Sequence, residues 1–143
     1  MKTADLYDPI NDAPFAKFEA CGDNYRGIPV HYEVLDDKYK SATQMLVVTL
    51  QLDKPTADGD EHAKIALRSD QLRREYGRKA LRAGRADLDD GLACDWVSVT
   101  YVEDRETGSG NTFKWYDVDY KADVLDGEAI GDGEFVDADQ PVF

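Results

Sequence analysis

The chain has 143 residues, of which 42% are apolar and 10% aromatic, so its composition predicts one domain with a single hydrophobic core. The formal net charge of -13 at pH 7 excludes a protein that binds duplex DNA or an anionic membrane through overall basicity. The sequence has no run of about 18 apolar residues and no apolar leader segment, which predicts a cytoplasmic protein without a membrane partner.

The residues that usually carry metal or catalytic chemistry are few. Cys21 and Cys94 stand apart without a CxxC pair, and only His31 and His62 could join them as metal ligands, so we predict no zinc site and no disulfide framework. The patterns GxxxxGK[ST], GxSxG and HExxH do not occur. We therefore expect a binding protein without a cofactor and not an enzyme.

Charge divides the chain into segments. Residues 61–85 carry a formal charge of +5, whereas residues 86–122 carry -6 and residues 123–143 carry -7. Because the last segment has seven acids, three glycines and no base, it is predicted to be a disordered acidic tail. Residues 1–15 read as an irregular arm. The folded domain is therefore expected to span residues 16–122.

Alternating apolar residues predict strands at residues 25–35 and 43–52. If the pleat is regular, alternate residues of each strand share a face. In the first strand this predicts a common face for Ile28, Val30, Tyr32 and Val34. In the second strand it predicts Leu46, Val48, Leu50 and Leu52 inward, with Val47, Thr49 and Gln51 outward.

Residues 62–67 are predicted to form a third strand with Ile65 and Leu67 on one side and Lys64, Ala66 and Arg68 on the other. The period then changes to that of a helix at residues 69–83, with Ser69 as its N-cap. The residues that recur at near-helical spacing, and so define its buried face, are Leu72, Tyr76, Ala80 and Ala83.

Strands four and five are predicted at residues 96–102 and 113–121, joined by the loop EDRETGSGN. Three strands, one helix and two strands is the element order of the OB-fold, a five-stranded Greek-key barrel. Ligands of that fold lie across strands two and three and between the loops that follow strands one and four. The same order also fits an unrelated α+β domain, because element order alone does not fix topology.

A protein that binds single strands without reading sequence needs cations for phosphates and flat side chains for bases. Both occur in the predicted first loop and at the start of the fifth strand. Outward-facing basic residues of the third strand add to them. Trp96 is expected to serve packing and not binding, and the basic residues of the helix are expected to lie on the helix surface. The predicted DNA-binding residues are Lys38, Tyr39, Lys40, Lys64, Arg68, Phe113, Lys114 and Trp115.

Several segments resemble the OB-fold single-stranded DNA-binding proteins of bacteriophages that infect actinobacteria. These segments are GDNYRG, QMLVVTLQ, ALRAGRADLDDG, VSVTYVED and KWYDVDY, which follow the family's order across most of residues 22–121. The first loop, DDKYKSAT, departs from the family pattern of a Trp with acidic residues. The resemblance implies sequence-independent binding and protection of single-stranded DNA in phage DNA replication and recombination.

The last seven residues carry a second resemblance. Bacterial single-stranded DNA-binding proteins end in an acidic run, a proline and a phenylalanine, and this chain ends DADQPVF, with a valine between the last two. The similarity implies a peptide that binds replication and recombination proteins. The residues that would contact such partners are Asp137, Asp139, Pro141, Val142 and Phe143.

Two other functions remain open at this point. An acidic protein that mimics nucleic acid could inhibit a DNA-binding enzyme, although residues 1–122 carry only -6. A small virion or assembly protein could use the same barrel. A homo-oligomer is also compatible with the sequence, which does not fix the oligomeric state.

Overall fold

Five strands and one helix follow one another in the predicted order. A computed structural model describes residues 2, 6–36 and 44–124. The predicted bounds hold to within one residue except at the end of the fourth strand. In chain order the elements are β1 (Asn24–Asp36), β2 (Gln44–Leu52), β3 (His62–Leu67), α1 (Asp70–Arg82), a 3-10 turn (Leu88–Gly91) that was not predicted, β4 (Trp96–Glu106) and β5 (Thr112–Lys121).

The strands form one antiparallel sheet in the order β3-β2-β1-β4-β5. The protein is thus mainly β, as predicted, but the sheet is open: β3 and β5 are its two edges and do not pair with each other. The predicted OB-fold is therefore not confirmed, since the sheet does not form a barrel. The physical reason lies at the edges, where each strand bonds to something other than the opposite strand.

The outer edges of β3 and β5 are hydrogen-bonded by the N-terminal arm and by α1, respectively. In the structure the irregular arm continues to residue 18, three residues beyond its predicted end. On β3, the Lys64 N–H donates to the Pro14 carbonyl oxygen, and the Lys64 carbonyl oxygen accepts from the Ala16 N–H. On β5, the side-chain amide of Gln71 accepts from the Tyr116 N–H and donates to the Tyr116 carbonyl oxygen. Because unpaired strand edges invite association with other chains, these bonds protect the open sheet.

One face of the sheet, here called the inner face, packs against α1. The predicted inward residues of β2 and β3 are confirmed, since Val48, Leu50 and Ile65 are fully buried in the core. The helix begins after Ser69, whose side-chain oxygen accepts from the Leu72 N–H as an N-cap does. Leu72, Tyr76 and Ala80 are buried as predicted, and Ala83 packs beside them. No helix of the described residues is long and apolar enough to cross a membrane.

A β-bulge corrects the predicted face of β1. The register shifts between Pro29 and His31, so one extra residue of β1 lies opposite β2 and the alternation inverts. Tyr25 and Tyr32 consequently both pack on the core although they differ in parity. The prediction that residues 28, 30, 32 and 34 share one face was therefore wrong, and Val34 is exposed. Pro29 was the available signal, because proline inside a strand often marks a bulge.

The opposite, outer face of β2 is buried where the alternation predicted exposure. Val47 and Thr49 have 0% exposed surface. Lys64 pairs with Thr49 across the sheet, and its Nζ donates to the carbonyl oxygen of Asn11 at 2.6 Å, so the N-terminal arm lies over this part of the face. Residues 6–15 of the arm contain no strand of the sheet, and Ala13 among them is buried.

The β4–β5 hairpin is longer than predicted. Residues 103–106, expected in a loop, continue β4 as a strand after a bulge at Val102, and the turn is confined to residues 107–111. Every residue from 102 to 112 is exposed, so this part of the hairpin extends beyond the core as a two-stranded ribbon. Such a ribbon depends on its own cross-strand contacts for stability.

A buried ion pair closes the end of the core beneath the last turn of α1. Asp95 has no exposed surface and accepts two hydrogen bonds from Arg85, each at 2.8 Å. Tyr120 also donates to Asp95, at 2.5 Å. Gly91 lies so close that an added Cβ would fall 1.9 Å from the Asp95 carboxylate, so only glycine fits there.

Candidate nucleic-acid interface

Two predicted aromatic residues lie together on the outer face of the ribbon. Because side chains alternate along β5, Phe113 and Trp115 share this face, with their ring centroids 6.1 Å apart. Arg105, which pairs with Phe113 across the hairpin, lies with its guanidinium carbon 3.6 Å from the centre of the Trp115 ring. We call Arg105, Phe113 and Trp115 the ribbon patch.

The arginine of the ribbon patch is held by an exchangeable partner. Its Nε donates to the Glu103 carboxylate at 2.7 Å, but the two side chains are 45% and 50% exposed. Ion pairs at this exposure contribute little free energy because water and salt screen them. A phosphate can therefore take the place of Glu103 at small cost. The sequence prediction missed Arg105 because it assigned residues 103–111 to a loop, where cross-strand neighbours are undefined.

Lys114 lies between the two patch aromatics in sequence but points to the opposite side of β5. Its Nζ is 5.2 Å from the centre of the Tyr101 ring and donates to the carbonyl oxygen of Phe18 in the arm. Tyr101 donates to Asp104, and this hydrogen bond raises the pKa of the Tyr101 phenol well above its usual value. The structure therefore separates Lys114 from Phe113 and Trp115, which the sequence had grouped together.

Lys114 borders a groove of about 800 Å³ that lies between the two edges of the sheet. Arg68, another predicted contact, lines the same groove, so the structure brings these two cations together. Phe15 and Phe18 of the arm supply apolar surface beside them. The groove thus combines cations and rings, although the arm aromatics were not among the predicted contacts.

The predicted first-loop contacts, Lys38, Tyr39 and Lys40, lie outside the described residues. The residues on either side of that loop are placed, and both Asp36 and Met45 line the groove. The described residues next to the predicted loop thus lie at the groove.

Lys64 lies on the outer face, as its parity predicted, but it is enclosed there. Its side chain is 12% exposed, and Nζ lies 3.7 Å from the Glu33 carboxylate in addition to its bond with Asn11. The Phe15 ring covers it from the arm, 5.7 Å from Nζ to the ring centre. The Lys64 ammonium group therefore already has partners on the outer face.

A second tryptophan lies on the open part of the outer face. Trp96, which was expected to serve packing, is half-buried, pairs with Lys121 across the sheet and is not part of the core cluster. Its indole N–H donates to Asp53 at 2.9 Å, and the Lys121 Nζ lies 5.0 Å from its ring centre. Its position at the start of β4, opposite a lysine, was the signal that sequence analysis did not use.

Acidic residues separate the two tryptophans. Trp115 and Lys121 are six residues apart on β5, or about 20 Å at the rise of an extended strand. Asp117 and Asp119 lie between them, exposed on the same face, because side chains alternate along β5. Their carboxylates repel anions, so the surface between the ribbon patch and Trp96 is unfavourable for phosphate.

The basic side chains of α1 face solvent or neighbouring acidic side chains, as expected for a helix surface. Arg73 pairs with Asp70 at 2.8 Å and Arg78 with Glu75 at 2.6 Å. The predicted partner-binding residues of the tail, Asp137, Asp139, Pro141, Val142 and Phe143, lie outside the described residues.

The described residues contain no group of three His, Cys, Asp or Glu side chains that could hold a metal ion. Comparison of the chain with protein-family models, curated proteins and solved structures found no match. The function is therefore argued from the geometry of the ribbon patch and the groove.

Proposed function

We propose that this protein binds single-stranded DNA independently of sequence, through the ribbon patch, the groove and the loop that begins and ends at the groove. The observation that carries the proposal is the ribbon patch itself. Phe113 and Trp115 lie side by side on a ribbon that extends beyond the core, with the Arg105 guanidinium against the larger ring. Flat rings next to a cation are what unpaired bases and their phosphates require.

The chemistry of binding follows from these contacts. A base stacks on the ring of Phe113. When Arg105 exchanges the Glu103 carboxylate for a phosphate oxygen, its guanidinium moves off the Trp115 ring, and a base stacks there as well. The exchange replaces one charged hydrogen bond with another, so the cation keeps a partner throughout. Each stacked base is worth about 1 to 3 kcal/mol, so two rings can support useful affinity.

The acidic charge of the protein limits where the strand runs. Asp117 and Asp119 close the route along β5 toward Trp96, whereas Lys114 and Arg68 mark the groove on the other side of the same strand. The single-stranded DNA therefore passes from the ribbon patch toward the groove. A duplex is a poor ligand, because its bases are already stacked and paired and the net charge of -13 repels it.

The resemblances in the sequence extend this proposal to a cellular role. We place the protein among the non-enzymatic factors of phage DNA replication and recombination, with the acidic tail recruiting other proteins.

Tryptophan fluorescence provides the test, because both tryptophans lie on the outer face and only one belongs to the ribbon patch. In a Trp96→Phe variant, where Trp115 is the only emitter, we expect oligo-dT to quench the emission and added salt to reverse the quenching. In the matched Trp115→Phe variant, we expect little quenching from Trp96.

Either of two results overturns the proposal. One is duplex DNA binding as tightly as oligo-dT at the same salt concentration. The other is no oligo-dT binding at low salt, which would favour the acidic nucleic-acid mimic instead.

A further inference from the structure

The exposed face of α1 carries an apolar side chain surrounded by arginines. Leu81 is 65% exposed, although it lies in a helix whose other large apolar side chains are buried. Residues three, four and seven positions apart share a helix face, which places Arg74, Gly77, Arg78 and Leu81 together with Arg82 beside them. We call these five residues the docking face.

Gly77 has no role within the described fold that explains its presence. A Cβ added there would meet nothing within 4 Å, so no close contact requires a glycine. Glycine in a helix interior costs about 1 kcal/mol relative to alanine. Its effect is to leave a shallow notch beside Leu81, open to a side chain from outside the helix.

Among the described residues, acidic side chains neutralise only part of the positive charge of this face. Residues 61–85 carry a formal +5. Arg78 is paired with Glu75, but Arg74 and Arg82 are exposed and have no ion-pair partner among the described residues. The docking face therefore offers a notch and an exposed leucine within positive charge, which suits an acidic peptide with apolar side chains.

The acidic tail begins beside the docking face. Asp123 accepts from Arg85, just beyond the end of α1, at 2.6 Å, and the Val124 N–H donates to the Cys94 carbonyl oxygen at 2.9 Å. Residues 125–143 contain six acids and no base, and their apolar residues include Ile130, Phe135 and Val136. The charge and composition of the tail thus complement those of the docking face.

We propose that residues 125–143 dock on the α1 face of their own chain, with acids opposite Arg74, Arg78 and Arg82 and an apolar side chain over Gly77 against Leu81. The length is sufficient: Arg85 and Arg74 are separated by about 16 Å if the helical rise of 1.5 Å per residue applies throughout. Six extended residues beyond Val124 cover about 20 Å, which already brings Ile130 to the far end of the face. This docking does not depend on the proposed DNA binding.

Amide NMR spectra of the full chain test the proposal from the tail side. In the test variant, the six acids of residues 125–143 are changed to their amides. We expect shifts of the Gly77 and Leu81 amides, because the docked segment leaves. As a control, Asp58→Asn with Glu61→Gln neutralises exposed acids of the β2–β3 turn and should leave those two amides in place.

A second pair of variants tests it from the helix side. Arg74→Gln with Arg82→Gln should move the tail amides to the positions they take at high salt, where the attraction between charges is screened. The control pair Arg26→Gln with Lys54→Gln removes the same charge at exposed positions away from α1 and should leave the tail amides unchanged. The proposal is overturned if tail neutralisation leaves the Gly77 and Leu81 amides unshifted, or if the control pair has the same effect as the test pair. The proposal is also overturned if the difference in the Gly77 and Leu81 amide positions between the full chain and the tail-neutralised variant decreases when the protein is diluted. The docked tail would then belong to a second copy of the chain.

Discussion

The two halves of the outer sheet face differ in what lies over them. On the β1–β2–β3 half, the N-terminal arm covers Lys64, and Val47 and Thr49 have no exposed surface. On the β4–β5 half, Trp115 and Arg105 lie on a ribbon that the described residues leave open. Both halves alternate in the same way, so alternation alone does not distinguish a structural surface from a binding surface.

This difference in cover explains why two cations that point to the same face of the sheet differ in their accessibility to a ligand. Lys64 and Arg105 both point to the outer face, but Lys64 is enclosed by Glu33, Asn11 and Phe15, whereas Arg105 has one exchangeable partner. A cation that is already enclosed would have to lose those contacts before it could bind phosphate. Exposure within the sheet therefore determines which of its cations a ligand can reach.

The largest expected effect is the loss of stability when a charge is placed on the covered half of the outer face, compared with the same charge on the open half. Val47→Asp puts a carboxylate beneath the arm without a partner, and we expect it to lower the free energy of unfolding by about 3 kcal/mol or more. The matched change on the open half, Val102→Asp, alters a residue that is already 39% exposed and should cost no more than about 0.5 kcal/mol. Urea denaturation followed by circular dichroism measures both. Equal losses would mean that the arm does not cover the outer face in solution.

The next effect concerns the core that both halves share. Asp95→Asn leaves Arg85 without its buried counter-ion, and we expect it to cost about 3 kcal/mol of unfolding free energy. Burial by itself raises the pKa of Asp95, but hydrogen bonds from Arg85, Tyr120 and the Asp123 N–H outweigh burial and hold that pKa below its ordinary value.

The lowered pKa gives a pH dependence with a definite sign. A carboxylate whose pKa is depressed in the folded state stabilises the fold above its unfolded pKa of about 3.9, and this contribution is lost as the pH falls through the folded value. The wild-type protein should therefore lose stability more steeply below about pH 4 than Asp95→Asn. Parallel stability curves for the two proteins would show that Asp95 is not held in this way.

The parts of the fold that follow from local pattern were predicted from the sequence. The inward positions of Val48 and Leu50 and the N-cap at Ser69 depend on residues close in the chain, and each agrees with the structure. The cover over Val47 depends on an arm more than 30 residues away, which alternation within one strand does not report. The β1 bulge has a local cause, yet one extra residue there inverts the predicted face.

The candidate site was predicted in part, for the same reason. Phe113 and Trp115 were predicted from their residue type and their place at the start of the fifth strand, whereas Arg105 became their neighbour only because the hairpin is longer than its sequence indicated. Lys64 had the predicted orientation, but its enclosure depends on the arm and on Glu33. Residue type and parity identify candidates, and contacts between distant segments determine which of them remain accessible.

The next prediction compares the two tryptophans of the open half. Trp115→Ala removes one stacking ring, and we expect oligo-dT affinity to fall about tenfold, within the 1 to 3 kcal/mol that a stacked base contributes. Trp96→Ala, on the same face beyond Asp117 and Asp119, should change the affinity less than about twofold if the strand turns toward the groove. Titrations followed by fluorescence anisotropy of a labelled oligonucleotide distinguish the two. A larger loss for Trp96→Ala would place the binding path along β5 instead.

The smallest expected effect is the most direct test of the difference between the halves, because it counts phosphate contacts. For single strands, each neutralised phosphate adds about 0.7 to the slope of log affinity against log salt. Arg105→Gln should therefore reduce the slope by about 0.7, whereas Lys64→Gln should leave it unchanged even if the fold is weakened. Both slopes are measured under conditions in which circular dichroism shows the variants folded. A reduced slope for Lys64→Gln would mean that the arm moves aside when DNA binds, so that the covered half also contacts the strand.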